Sequence, residues 1–183
     1  MKYDSIADIY AANRNIRTAF RSVVEGLTAD EATLLPDGER WSIQQIVEHV
    51  SIVDSGMLRI CVKLLTAAKA SGKPADGKVP LSTDFGAKSR EIAGRKVEAP
   101  ERVHPTGDVP IADAIGQMTG NIHAFEALRD DLESLDVAEP KFPHPFFGDL
   151  NAVEWLVLKG GHESRHTNQI TAILSKISGD PGR

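Results

Sequence analysis

Four long stretches of this chain return an apolar side chain at every third or fourth position, and no segment alternates over more than four residues. A 3.6-residue repeat gives each helix one apolar face, and such faces are buried against one another. The chain is therefore read as all-α, a four-helix bundle. The first stripe is Ile6, Ile9, Ile16, Phe20, Val23, Val24 and Leu27. The second helix starts at Ser42, because Ser42 and Gln45 form a capping box ahead of Ile43, Ile46, Val50, Val53, Met57, Ile60, Cys61, Leu64 and Leu65. It ends near SGKPADGK. The third begins after Pro110 and runs through Ile111, Ile115, Met118, Ile122, Phe125, Leu128, Leu132 and Leu135. The fourth begins at Asn151, which caps while Glu154 answers from the first turn; its stripe is Trp155, Leu158, His162, His166, Ile170, Ile173 and Ile177. Thr28 and Glu31 make a further capping box for one short turn, while VHPTG and FPHPFFG are too rich in Pro and Gly for a sheet interior.

The connections constrain the topology. About 14 residues join the first two helices, which suits an antiparallel pair. Roughly 40 residues, from Ser71 to Pro110, join the second and third, and a structureless loop that long is uncommon in a compact domain. A crossover accounts for it. A link returning along a parallel neighbour must span about 36 Å at 1.5 Å per residue, and a connection of this length reaches that easily.

Composition narrows the function classes. A chain of 183 residues with 41% hydrophobic side chains suits a single domain over 1–183. Its net charge of −5, with Lys and Arg scattered, lacks the footprint of a nucleic-acid or membrane-surface binder. No apolar run approaches the roughly 18 residues of a membrane span, and MKYDSIADIYAANRN lacks the features of a signal peptide. The lone cysteine, Cys61, excludes an internal disulfide and reads as a small core residue. A soluble cytoplasmic protein is expected.

The six histidines carry the remaining information. His162 and His166 lie one turn apart on the apolar stripe of the last helix, and His49 lies on the stripe of the second between Ile46 and Val53. Along an antiparallel pair the depths of His49 and His166 differ by about four residues, or ~6 Å, so the three imidazoles are expected to meet. Taken alone, His49 reads equally as a core residue bonded to a carbonyl. Three buried imidazoles without partners would cost on the order of 1–3 kcal/mol each, and a divalent ion satisfies all three. Three protein ligands with an open position is the pattern of a catalytic site. Imidazole ligands suit Zn, Ni, Cu and Fe alike.

The segment His162-Glu163-Ser164-Arg165-His166 also satisfies the H-E-x-x-H peptidase pattern. The residues after it hold no His or Glu, and Gln169 stands where metzincins carry glycine. A third ligand would have to come from upstream, which breaks that arrangement, and Glu163 reads as a solvated or salt-bridged residue. His123 is read as exposed, and His104 and His144 as loop residues, with His144 close enough to the last helix to reach the mouth of a site.

Taken together, RWSIQQIVEHV and HPFFGDLNAVEWLVLKGGHESRHTNQI resemble the DinB/YfiT-like superfamily of metal-binding four-helix bundles, especially its DinB-like branch. The Trp-Ser opening before the first histidine, the His-Pro…Phe-Gly segment before the last helix and the H-x-x-x-R-H-x-x-Q-I ending all correspond, as does APERVHPTG. The resemblance covers about Ala11 to Ile177. It implies up-down-down-up topology and a divalent metal, typically zinc or nickel, on His49, His162 and His166. It also implies a transferase or isomerase using a low-molecular-weight thiol, commonly as a homodimer. A metal-dependent hydrolase and a non-catalytic, stress-related metal-binding protein are the alternatives, and no residue is assigned as acid or base.

Overall fold

The computed structural model describes residues 3–93, 95 and 98–178. Helix α1 spans Ile6–Val24, opened by a capping box between Ser5 and Asp8. The short α2, Ala29–Thr33, is capped by Thr28 and Glu31, and the long α3, Ile43–Ser71, by Ser42 and Gln45. Helix α4, Phe85–Ala93, and a 3₁₀ turn at Glu101–Val103 lie in the connection to α5, Ile111–Glu126. Then come α6, Arg129–Ser134, strands β1, Lys141–His144, and β2, Gly148–Asn151, and finally α7, Ala152–Ser178. Among the described residues no helix is long and apolar enough to cross a membrane.

Side-chain pairs fix the helix directions. On α1 and α7, Asn13 donates to the Leu156 carbonyl and Arg17 to Glu163, so the two run parallel. On α3 and α7, His49 faces His162 while Cys61 faces the Ala152 carbonyl, so these are antiparallel. Asp54 meets Asn121, and Ile43 to Val50 pack with Ala114 and Met118, which sets α3 parallel to α5. The result is an up-down-down-up four-helix bundle, and the long link is the crossover its length required. It is tied down midway: Glu154 of α7 accepts from the Ser82 backbone at 2.8 Å, and Asn151 donates to the Pro80 carbonyl at 2.7 Å.

Three expectations are corrected. The third helix does not run unbroken to Leu135. The Tyr10 hydroxyl donates to the Phe125 carbonyl at 2.7 Å and Leu128 N–H donates to the same oxygen at 3.0 Å, so the ladder tightens and α6 starts afresh. The first helix stops at Val24, short of Leu27, and Gly26 adopts φ +80°. The segment FPHPFFG is not a plain loop but the start of an antiparallel hairpin, with Lys141 opposite Asn151 and His144 opposite Gly148. A two-stranded ribbon consists of edges only, so Pro143 can sit in it without breaking a ladder.

The core lies in two apolar clusters. One joins Ile9, Cys61, Leu65, Leu132, Leu156 and the hairpin, and the other joins Phe20, Ile46, Val50, Met118, Ile170 and Ile173. Between them runs a buried polar layer. Arg17 Nε and Nη2 donate to Glu163, Arg17 and Lys159 both contact Asp54 Oδ1 at 3.2 Å, and Asn121 donates to Asp54 Oδ2 at 2.7 Å. Lys159 Nζ also reaches Glu163 at 3.5 Å, so two cations face two carboxylates. Buried charges need such pairing, because an isolated one would be lost to desolvation. Among the described residues, Arg17 Nη1 is the buried side-chain donor left without a partner.

Candidate metal centre

The three histidines converge beside this layer. Their ring centroids lie 5.1 Å (His49–His162), 5.0 Å (His49–His166) and 4.5 Å (His162–His166) apart. One ring nitrogen from each falls within 4.8 Å of the other two. The two on α7 share a face because they are four residues apart. His49 is brought to them by the antiparallel packing of α3.

Local chemistry then orients the rings. His49 Nδ1 lies 2.7 Å from the Val103 carbonyl, which can only accept, so Nδ1 carries the hydrogen and Nε2 offers a lone pair. His166 Nδ1 is held in the same way at 2.9 Å from Gln169 Oε1. A hydrogen bond from the second ring nitrogen is the usual way of fixing a ligand imidazole. Val103 is itself positioned by the residue preceding His49: Glu48, 2% exposed, accepts from Thr106 N and Oγ1 at 2.8 Å and from Gly107 N at 2.7 Å. Gly107 sits at φ +89°, and a Cβ there would meet Gln45 Nε2 at 3.3 Å, so the loop needs glycine. Trp41 covers the other side of His49, with ring centroids 4.9 Å apart.

The donor set fits a cation. His49 Nε2 and His162 Nε2 are 3.2 Å apart. Two nitrogens on a tetrahedral ion at 2.0–2.1 Å would stand about 3.3 Å from each other. Burial pushes all three imidazoles below the usual histidine range, His166 to about 3, and neighbouring imidazoles add to it: His166 and His49 beside His162, His49 beside His166, and His104 beside His49. They are neutral at neutral pH, the form in which imidazole binds metal.

That depression sets a pH dependence. In unfolded chain a histidine takes up its proton near pH 6.5, whereas in the folded chain all three hold out to lower pH, His162 and His166 to well below it. The unfolded state therefore binds more protons as pH falls through 6.5, and stability present above that pH is lost below it. Urea unfolding of chelator-treated protein should show a falling midpoint between about pH 7.5 and 5.5, above the range where carboxylates titrate. A flat midpoint over that window would contradict the burial of these imidazoles.

The other sequence candidates divide. His123 is exposed, as expected. His104 is half-buried and lies 2.8 Å from the Ala99 carbonyl. His144 stands on β1 rather than in a loop, and its Nδ1 accepts from the N–H groups of Phe146 and Phe147 at 3.2 and 3.3 Å. Its hydrogen is therefore on Nε2, and burial followed by the charge of Arg102 lowers its pKa to about 4. Glu163 is salt-bridged but not solvated: it is 1% exposed and clamped by Arg17 and Lys159. A carboxylate so engaged is not free to act as the base of a peptidase. Sequence reading missed the polar layer and the anchoring role of Glu48. The signal for the layer was there, since Asn13 and Arg17 occupy core-facing positions between Ile9 and Phe20.

A bundle with this topology and a histidine trio between its second and last long helices defines a class, and comparison with known proteins agrees. The DinB superfamily model matches residues 12–170, and the chain belongs to that family. It is also similar to the uncharacterized protein YuaE of Bacillus subtilis (strain 168), with 26% identity over 159 residues, covering 84% of this chain and 90% of the relative.

Proposed function

We propose that the protein is a metal-dependent S-transferase, with His49, His162 and His166 holding a zinc or nickel ion and a low-molecular-weight thiol as one substrate. The observation that carries this reading is the convergence of three neutral imidazoles, two with Nδ1 occupied by an acceptor and Nε2 left for a ligand. A bound divalent ion would lower the pKa of a coordinated nucleophile, supplying thiolate near neutral pH without a strong protein base. The residues of the chain do the rest. Val103 and Gln169 hold two ligand rings in one tautomer, Trp41 screens His49 from water, and the Arg17–Glu163 pair keeps the one nearby carboxylate on α7 out of the reaction. His144 presents an Nε2–H as a donor to a substrate group. The reading includes a homodimer, as the family resemblance implies, placed in the cytoplasm on the composition of the chain.

The test is thiol dependence. Protein purified without a His tag and loaded with the ion found by elemental analysis should consume alkyl or epoxide electrophiles only when a thiol is supplied. The thiol sulfur would be alkylated and its proton would leave with the displaced group or the opened ring. Turnover of ester or amide substrates with no thiol present would favour the hydrolase instead.

A further inference from the structure

A groove of about 720 Å³ runs between α3, the 3₁₀ turn and β1, a volume in the range of small-molecule sites. It adjoins the histidines. Arg102 on its wall precedes Val103, whose carbonyl holds His49, and His144 stands on the opposite wall.

Its charge is unlike that of the rest of the surface. The chain carries a net −5, yet the groove is lined by Arg59, Lys63 and Arg102 and by no carboxylate. Elsewhere Lys69, Lys88, Arg129 and Lys176 each sit against an acid, and Arg21, Lys73, Arg90, Lys141 and Arg165 form no ion pair among the described residues. What sets the groove apart is three such cations lining one cleft with no acid among them. Among the described residues, Arg59, Lys63 and Arg102 form no ion pair; Lys63 lies over the Phe142 ring, 4.9 Å from its centroid. Arg59 and Lys63 are one turn apart on α3 and share a face, and Arg102 answers from the 3₁₀ turn. Cations left unpaired in a walled groove focus a positive field and concentrate anions.

We propose that this groove holds the anionic arm of the substrate, a small extended molecule bearing carboxylates, with Arg59, Lys63 and Arg102 as counter-charges. Only the identity of the reacting end rests on the S-transferase reading. Distance sets the size. Arg59 lies ten residues beyond His49 on α3, about 15 Å at the helical rise, so the ligand spans roughly the length of a tripeptide or somewhat more. Carboxylate is favoured over phosphate because the cations are spread along the groove, and none of the described residues lining it stands at an α-helix N-terminus or in a glycine-rich turn.

The probe is S-methylglutathione, an extended dicarboxylate whose sulfur is blocked, titrated calorimetrically into the protein as purified. Saturable binding is expected, weakened at least tenfold in the diethyl ester of the probe and at least tenfold in the Arg59→Gln/Arg102→Gln variant. Both changed residues are solvent-exposed, so the fold should be unaffected. Equal affinity for acid and ester, unchanged affinity in the double variant, or no binding at all would overturn the proposal. Inorganic phosphate displacing the probe at equal concentration would overturn the carboxylate assignment. Because the probe cannot react, failure here leaves the thiol-transfer reading standing, and failure of that reading leaves this one standing.

Discussion

Replacing His166 by alanine should strip the protein of its divalent ion, from about one per chain to well below one by elemental analysis of untagged protein. The effect is large because three imidazoles are the whole proposed protein ligand set, and removing one leaves two neutral donors competing with water. Stability offers a second readout. An ion that binds only the folded state at 100 times its dissociation constant stabilises by about 2.7 kcal/mol. Added zinc or nickel should therefore raise the unfolding midpoint of the parent protein and leave that of the variant nearly unmoved. His49→Ala and His162→Ala should behave alike, although His49→Ala also gives up the bond to Val103 and should loosen the 3₁₀ turn. Unchanged metal content in all three variants would remove the basis of the proposed function.

The second large effect is expected in the polar layer. Arg17→Ala removes the cation that reaches both Glu163 and Asp54 and leaves two buried carboxylates with Lys159 as their one remaining cation among the described residues. Breaking a buried ion pair from one side costs about 3–5 kcal/mol, because the remaining charge stays desolvated. Arg17→Met, which keeps much of the volume, should still cost most of that amount, separating charge from packing. Urea unfolding near neutral pH measures both. A change below about 0.5 kcal/mol for Arg17→Ala, the range of ordinary surface substitutions, would show that the layer does not hold the bundle together. The layer matters to the metal centre because Glu163 lies between His162 and His166 and Asp54 five residues beyond His49 on α3. It sets the depth at which α3 and α7 meet.

Much of this site is legible in the sequence. The stripe positions of His49, His162 and His166 placed three imidazoles on inward faces, and counting from the helix ends brought His49 and His166 to within about four residues of the same depth. What could not be read was what turns the rings. Val103 lies 54 residues from His49, and its carbonyl becomes an acceptor only because Glu48 draws in the loop at Thr106 and Gly107. The groove was equally hidden. Arg59, Lys63 and Arg102 look scattered along the chain, and only the hairpin and the 3₁₀ turn bring them to one cleft.

The chain alone determined its helix starts at Ser42, Thr28 and Asn151, and the face each long helix buries. These depend on side chains meeting backbone groups three or four residues away, and that chemistry is written in consecutive letters. Tertiary structure decided where the third helix breaks, that the Pro-rich segment pairs as a hairpin, and that charges on three helices neutralise one another. Each of those outcomes turns on a partner far away in sequence: Tyr10 for the Phe125 carbonyl, Glu163 for Arg17, and Phe85, its ring tilted against Phe147 with centroids 5.6 Å apart, for the hairpin. Periodicity says which way a residue faces, but a hydrogen bond or ion pair also requires that its partner arrive, and packing alone brings it there.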